Sequence, residues 1–149
     1  MPKTVLTSGA FDLIHYGHIR LLEEAKSHGG PNAKLVVIIA RDETVKRLKN
    51  KPPVFPENQR RALIEALKVV DQALLGYEDM DMTTVIEKVK PDITAVGHDQ
   101  DTIEKMAKKA IKEKNLPIKV VRIGRFGQSD LDSSSKIKRK IVEDLRTTY

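Results

Sequence analysis

Short runs of aliphatic and β-branched residues alternate with longer amphipathic runs along the chain, and that rhythm limits the fold more than any other feature. The runs Thr4–Ser8 (TVLTS), Leu35–Ala40 (LVVIIA), Gln72–Gly76 (QALLG), Ile93–Gly97 (ITAVG) and Ile118–Ile123 (IKVVRI) read as strands. Several lack the every-other-residue polarity of a half-exposed strand, which points to burial on both faces and so to a parallel sheet. Between them, His18–Ser27, Thr44–Leu48, Glu57–Leu67, Thr83–Lys90 and Thr102–Glu113 read as helices, and a last helix is expected from about Ser134 to Arg146. In Glu57–Leu67 the spacing predicts an apolar stripe of Ala62, Leu63, Ala66 and Leu67, with Arg60, Arg61 and Glu65 outside it. On the last helix Ile137, Ile141, Val142 and Leu145 are expected to face inward. The order βαβα predicts a doubly wound α/β fold, a parallel sheet of about five strands flanked by helices. Such a fold has right-handed crossovers and gathers its ligands at the carboxyl ends of the strands.

A chain of 149 residues is expected to form one domain spanning 1–149. Two stretches break the periodicity: Lys49–Asn58, stiffened by three prolines, and Gly124–Ser133, rich in Gly, Ser and Asp. Pro56 lies just before a helical run, where proline suits a helix start. The chain has no cysteine, which excludes disulfides, thiolate metal sites and cysteine nucleophiles. Its longest apolar run, Leu35–Ala40, is too short to span a bilayer, and no signal-peptide pattern opens the chain; a cytoplasmic protein with no membrane partner is expected. The net charge of +6 suits an anionic ligand, with nucleic acid, phosphorylated metabolites and acidic lipid headgroups as the candidate classes.

Two of the four histidines, His15 and His18, lie three apart in "GAFDLIHYGH", where the first strand gives way to a helix. Gly9 and Gly17 let backbone N–H groups come close to a ligand there. The helix start supplies orphan N–H groups and the positive end of a dipole. Imidazoles at such a place donate hydrogen bonds to phosphate oxygens and can take up charge, their ordinary pKa being about 6.5. The residues therefore point to a phosphoryl group undergoing reaction. No third ligand stands near enough for zinc, so no protein metal site is expected.

At the other end, "SSSKIKRK" puts Ser133, Ser134 and Ser135 at an expected helix start, followed by Lys136, Lys138, Arg139 and Lys140. Hydroxyls and orphan N–H groups at that terminus suit the β- and γ-phosphates of a triphosphate, with Lys136 or Lys138 neutralising them. Lys49 and Lys51, in the proline-rich loop, suit an α-phosphate as charge develops on it.

The stretch Gly9-Ala10-Phe11-Asp12-Leu13-Ile14-His15-Tyr16-Gly17-His18 resembles the Gly-x-Phe-Asp-x-x-His-x-Gly-His motif of the cytidylyltransferase-like nucleotidyltransferases. These are Rossmann-like enzymes that move a nucleotide monophosphate onto a phosphorylated acceptor and release pyrophosphate. Ser133–Lys138 is similar to their closing Ile-Ser-Ser-Thr-x-x-Arg motif, with Asp132 standing where an apolar residue is usual. The resemblance implies that His15, His18, Lys49 and Lys51 are catalytic. It implies nucleotide-binding roles for Gly9, Ala10, Phe11, Asp12, Gly17, Arg60, Gly97, Asp99, Gln100, Ser133, Ser134, Ser135, Lys136 and Lys138. Arg60 would touch phosphate, although a salt-bridged surface helix accounts for it as well.

Lys68-Val69-Val70-Asp71 and Gly97-His98-Asp99-Gln100 depart from the Arg-Tyr-Val-Asp and Gly-Asp-Asp of the CTP-using members. Ala40–Gly76 and "VGHDQ" look instead like the archaeal-type FAD synthases, a family of FMN adenylyltransferases, and the resemblance runs over nearly the whole chain. What this implies is ATP + FMN → FAD + pyrophosphate, with small-molecule partners, a divalent cation such as Mg²⁺ with Asp12 its nearest carboxylate, and a possible homodimer. The alternatives are CTP with a phospho-alcohol such as glycerol 3-phosphate, ATP with phosphopantetheine, or a non-catalytic module that binds nucleic acid through the basic last helix.

Overall fold

The computed structural model describes residues 2–78, 82–124 and 133–148. The elements in chain order are β1 (Thr4–Gly9), α1 (Tyr16–Ser27), β2 (Lys34–Ile39), α2 (Asp42–Lys49), α3 (Glu57–Glu65) and β3 (Gln72–Leu75). They continue with α4 (Met82–Val89), β4 (Ile93–Val96), α5 (Asp101–Lys114), β5 (Lys119–Arg122) and α6 (Ser134–Thr148). The strands form one parallel sheet in the order β3-β2-β1-β4-β5. Each expected strand and helix is present, with ends displaced by one or two residues.

The missing alternation in the strands now has its cause. Val5, Leu35, Val37 and Ile39 face one side of the sheet, in a cluster with Leu22, Ala25 and Ile64. Leu6, Val36 and Ile38, their immediate neighbours, face the other side with Val85, Ile86 and Ala110. Successive strand residues point to opposite faces, so a sheet covered on both needs apolar residues at every position. Each such side chain contributes about 1.5–3 kcal/mol on burial.

Two expectations about helices are corrected. On α3 the face toward the sheet carries Arg60 and Ile64, both at 0% exposure, whereas Leu63 is 42% exposed and Ala62 and Ala66 are exposed too. Polarity alone puts a charge on the solvent side, yet Arg60 is buried because its guanidinium is bonded through Nε, Nη1 and Nη2. On α6 Ile137 is half-buried, but Ile141, Val142 and Leu145 are 51%, 46% and 52% exposed. The helix meets the body through its first turns and runs on beyond it, so these three do not face a core.

The pairing continues past the strand ends. Ala40 N–H donates to Gly9 O (2.9 Å), Gly76 N–H to Ile39 O (2.8 Å) and Ile123 N–H to Val96 O (2.7 Å). All five carboxyl ends thereby reach one edge of the sheet, where the chain leaves β1 between a β2/β3 side and a β4/β5 side.

Candidate active site

A cleft of about 710 Å³ lies along that edge. Its floor is the divergence of β1 and β4, where a doubly wound sheet opens a crevice. Thr7 Oγ1 donates to Ala95 O at 2.9 Å and ties the two strands. Gln100 spans the same gap: its Oε1 accepts Gly97 N–H (2.8 Å) and its Nε2 donates to Ser8 O (2.9 Å). Gly97, Asp99 and Gln100 all line the cleft, but the side-chain amide of Gln100 is spent on holding the turn.

The loop after β1 divides its labour. Phe11 has φ 50, a left-handed conformation that an aromatic residue rarely adopts and that costs on the order of 1–3 kcal/mol. Its ring is buried and folds back over Gly9, where a Cβ would come within 2.8 Å of it. Gly9 is therefore required by the ring. Phe11 in turn packs on His18, centroids 5.2 Å apart and tilted. Asp12, 5% exposed, accepts hydrogen bonds from Val54 N–H (2.8 Å) and Phe55 N–H (2.9 Å), strapping the proline-rich loop down. Both its oxygens are thus engaged, and Lys138 Nζ lies 3.8 Å from one of them.

His15 is the N-cap of α1, which starts at Tyr16, two residues before the expected position. Gly17 lies inside its first turn and lines the cleft with Gly9, Ala10, Phe11, Asp12, His15 and His18. The two imidazoles stack, centroids 3.8 Å apart and 26° between planes. His18 Nδ1 accepts the His15 N–H at 3.3 Å, so in the neutral ring the proton sits on Nε2. Burial, then the charges of His15 and Lys49, pull the His18 pKa down from 6.5 to about 3, Asp12 opposing weakly. A lowered pKa and an Nδ1 that accepts a backbone N–H leave Nε2–H as the donor that His18 presents.

The far end of the chain meets this loop. Leu13 N–H donates to Ser134 Oγ at 3.3 Å across 121 residues. Ser133 caps α6, its Oγ accepting Lys136 N–H at 3.2 Å. Ser133, Ser134 and Ser135 line the cleft, while Lys136 and Lys138 stand outside its wall. Asp132 lies outside the described residues.

Of the two candidate lysines, Lys49 lines the cleft and its charge acts on His18; Lys51 is exposed and is not part of the wall. Arg60 is bonded to protein groups on several elements. Its Nε donates to Phe55 O (2.9 Å), Nη1 to Ala10 O and Ala40 O (both 2.8 Å), and Nη2 to Asp42 Oδ1 (2.7 Å). At 0% exposure it lies outside the cleft wall and clamps together the loop after β1, the end of β2, the proline-rich loop and α2. Among the described residues no three His, Cys, Asp or Glu side chains gather to hold a metal ion. No helix of the described residues is long and apolar enough to cross a membrane.

The sequence reading missed the wall on the β2/β3 side: Ile38, Thr44, Val45, Leu48, Tyr77, Met82 and Val85. These come from β2, α2, α4 and the segment after β3, and share no local pattern. The placement of Tyr77 two residues after β3 was the available signal, since strand ends line such clefts.

A family model described as cytidylyltransferase-like matches residues 6–140. The FAD synthase of Methanothermus fervidus is 50% identical over 138 residues, covering 93% of this chain and 94% of that one. The FAD synthase of Methanopyrus kandleri is 43% identical over 143 residues, covering 96% and 94%. Among solved structures, the lipopolysaccharide core biosynthesis protein from Thermoplasma volcanium is 42% identical and superposes with a TM-score of 0.76, covering 85% of this chain and all of that one. Pantoate-β-alanine ligase from Francisella tularensis, 19% identical with a TM-score of 0.63, shares the fold; the match spans 97% of this chain and 72% of the ligase.

Proposed function

The chain belongs to the cytidylyltransferase-like family, and from that premise we propose that it adenylylates FMN within one domain spanning 1–149. It is a nucleotidyltransferase: the phosphate of FMN attacks the α-phosphorus of ATP, the α–β bridging bond breaks, and pyrophosphate leaves with the electron pair, giving FAD. The nucleophile is already ionised, so no general base and no covalent intermediate are needed. Catalysis is then positioning and charge stabilisation along an in-line path.

The observation that carries this reading is the Leu13 N–H to Ser134 Oγ bond, which joins the histidine loop and the serine-lined start of α6 in one cleft. Adjacent phosphates of a triphosphate need two such grips side by side. His18 Nε2–H donates to an α-phosphate oxygen as charge builds there, and His15 and the α1 terminus hold it in line. Lys49, on the rim of the same wall, neutralises the oxygens; Lys51 has no part in the chemistry. Ser133, Ser134, Ser135 and the orphan N–H groups of α6 receive the leaving pyrophosphate. The divalent cation of this proposal enters on the triphosphate, so that the nucleotide substrate is MgATP; Asp12, its nearest expected carboxylate, also holds Val54 N–H, Phe55 N–H and Lys138.

The test is pyrophosphate release and product chromatography with ATP or CTP against FMN, glycerol 3-phosphate, choline phosphate and phosphopantetheine. ATP with FMN should give FAD and pyrophosphate in equal amounts. Turnover with CTP and a phospho-alcohol, and none with ATP and FMN, would overturn the proposal.

A further inference from the structure

One half of the cleft takes no part in gripping phosphates. It opens where β2 and β3 end, across β1 from Gly97–Thr102 and Ser133–Ser135, and its wall is apolar: Ile38, Val45, Leu48, Tyr77, Met82 and Val85. Most of these are buried, but Leu48 and Tyr77 are 62% and 38% exposed. Large apolar side chains left open within a concavity mark a ligand surface rather than core. Tyr77 is moreover held from both sides. Arg41 Nε donates to Gly76 O at 2.8 Å, Arg47 Nη2 donates to Glu78 O, and Gly76 N–H donates to Ile39 O at 2.8 Å. Two arginines of the α2 segment thus pin the carbonyls on either side of Tyr77 and fix the backbone that carries the ring.

The reaction geometry says which substrate this half takes. In-line displacement requires the incoming phosphate to approach opposite the leaving group. With pyrophosphate leaving toward the start of α6, the acceptor must enter from the β2/β3 side, and its body must lie there. Resting on the adenylyl transfer proposed above, we infer that this slot receives the isoalloxazine ring of FMN, with Tyr77 as the stacking face and Leu48 closing the open side. Thr44, 3% exposed on the same wall, has a hydroxyl with no hydrogen-bond partner among the described residues. A buried hydroxyl left unmatched is costly. The pyrimidine edge of the flavin, with its carbonyls and ring N–H, offers a partner, while the dimethylbenzene edge suits the aliphatic residues.

The experiment is steady-state kinetics of wild type, Tyr77→Ala, Tyr77→Phe and Thr44→Val, with direct binding of riboflavin followed by flavin fluorescence. Tyr77→Ala should raise KM for FMN and weaken riboflavin binding about 10- to 100-fold, the usual loss when a stacking aromatic is truncated. KM for ATP should stay unchanged, Tyr77→Phe should restore affinity, and Thr44→Val should raise KM for FMN alone. An unchanged KM for FMN in Tyr77→Ala, or an effect on ATP instead, would overturn the assignment. If Tyr77→Ala does not accumulate as folded protein, Leu48→Ala carries the same test from a more exposed position. Should wild type make no FAD, the adenylyl-transfer reading fails; riboflavin binding abolished by Tyr77→Ala would still support the slot, and its absence from wild type would sink it.

Discussion

Replacing His18 with glutamine should change how the protein responds to acid. The pKa of His18 falls from 6.5 to about 3 on folding, first because of burial and then because of His15 and Lys49. The folded value lies below the unfolded one, so on acidification the unfolded chain takes up the proton first. The neutral imidazole therefore contributes its full stability above about pH 6.5 and loses it as pH falls toward about 3. Each pH unit in that window costs about 1.4 kcal/mol, which makes the penalty about 2 kcal/mol at about pH 5. Glutamine does not titrate, keeps a donor near the Nε2 position, and is free of that penalty. Urea unfolding of both proteins at neutral pH and at about pH 5 isolates the difference, because the carboxylates contribute equally to each. The account expects wild type to lose about 2 kcal/mol more than His18→Gln over this range. Equal losses would mean that His18 is not buried as a neutral donor, and the fixed tautomer would fall with it.

Three further outcomes follow from the geometry. Arg60→Met leaves Asp42 Oδ1 and three backbone carbonyls without their donor, so unfolding free energy should drop by about 3–5 kcal/mol; a folded, fully stable variant that binds ATP poorly would instead make Arg60 a phosphate ligand. Gly9→Ala sets a Cβ against the Phe11 ring at 2.8 Å and should displace Phe11 and the His18 it packs on, lowering kcat more than stability. Lys49→Ala should lower kcat by about 10²–10³, the loss of one group that stabilises the transition state, whereas Lys51→Ala should leave kcat and both KM values unchanged.

The architecture was legible because a two-sided parallel sheet writes itself into the chain as unbroken aliphatic runs: "LVVII" is buried on both faces, as read. The histidine loop and the serine-lined helix start were legible as motifs, and they do converge. What the motif did not reveal is role. Gly9, Phe11 and Asp12 line the cleft and also hold one another and the loop at Val54–Phe55, a structural task that the motif does not announce. Arg60 was misplaced because periodicity sorts residues by polarity, and a guanidinium with four protein bonds is as much at home inside as a leucine. The exposed face of α6 was misplaced for the converse reason: apolar spacing marks a face but says nothing of whether the body extends beneath it. The wall around Tyr77 was invisible because only the fold brings β2, α2, β3 and α4 together.

A crystal structure with α,β-methylene-ATP and FMN tests the shared cleft most directly. His18 Nε2 should lie within about 3 Å of an α-phosphate oxygen, with the outer phosphates against Ser133–Ser135. Phosphates bound away from the imidazoles, or a nucleotide that leaves the start of α6 untouched, would contradict the account.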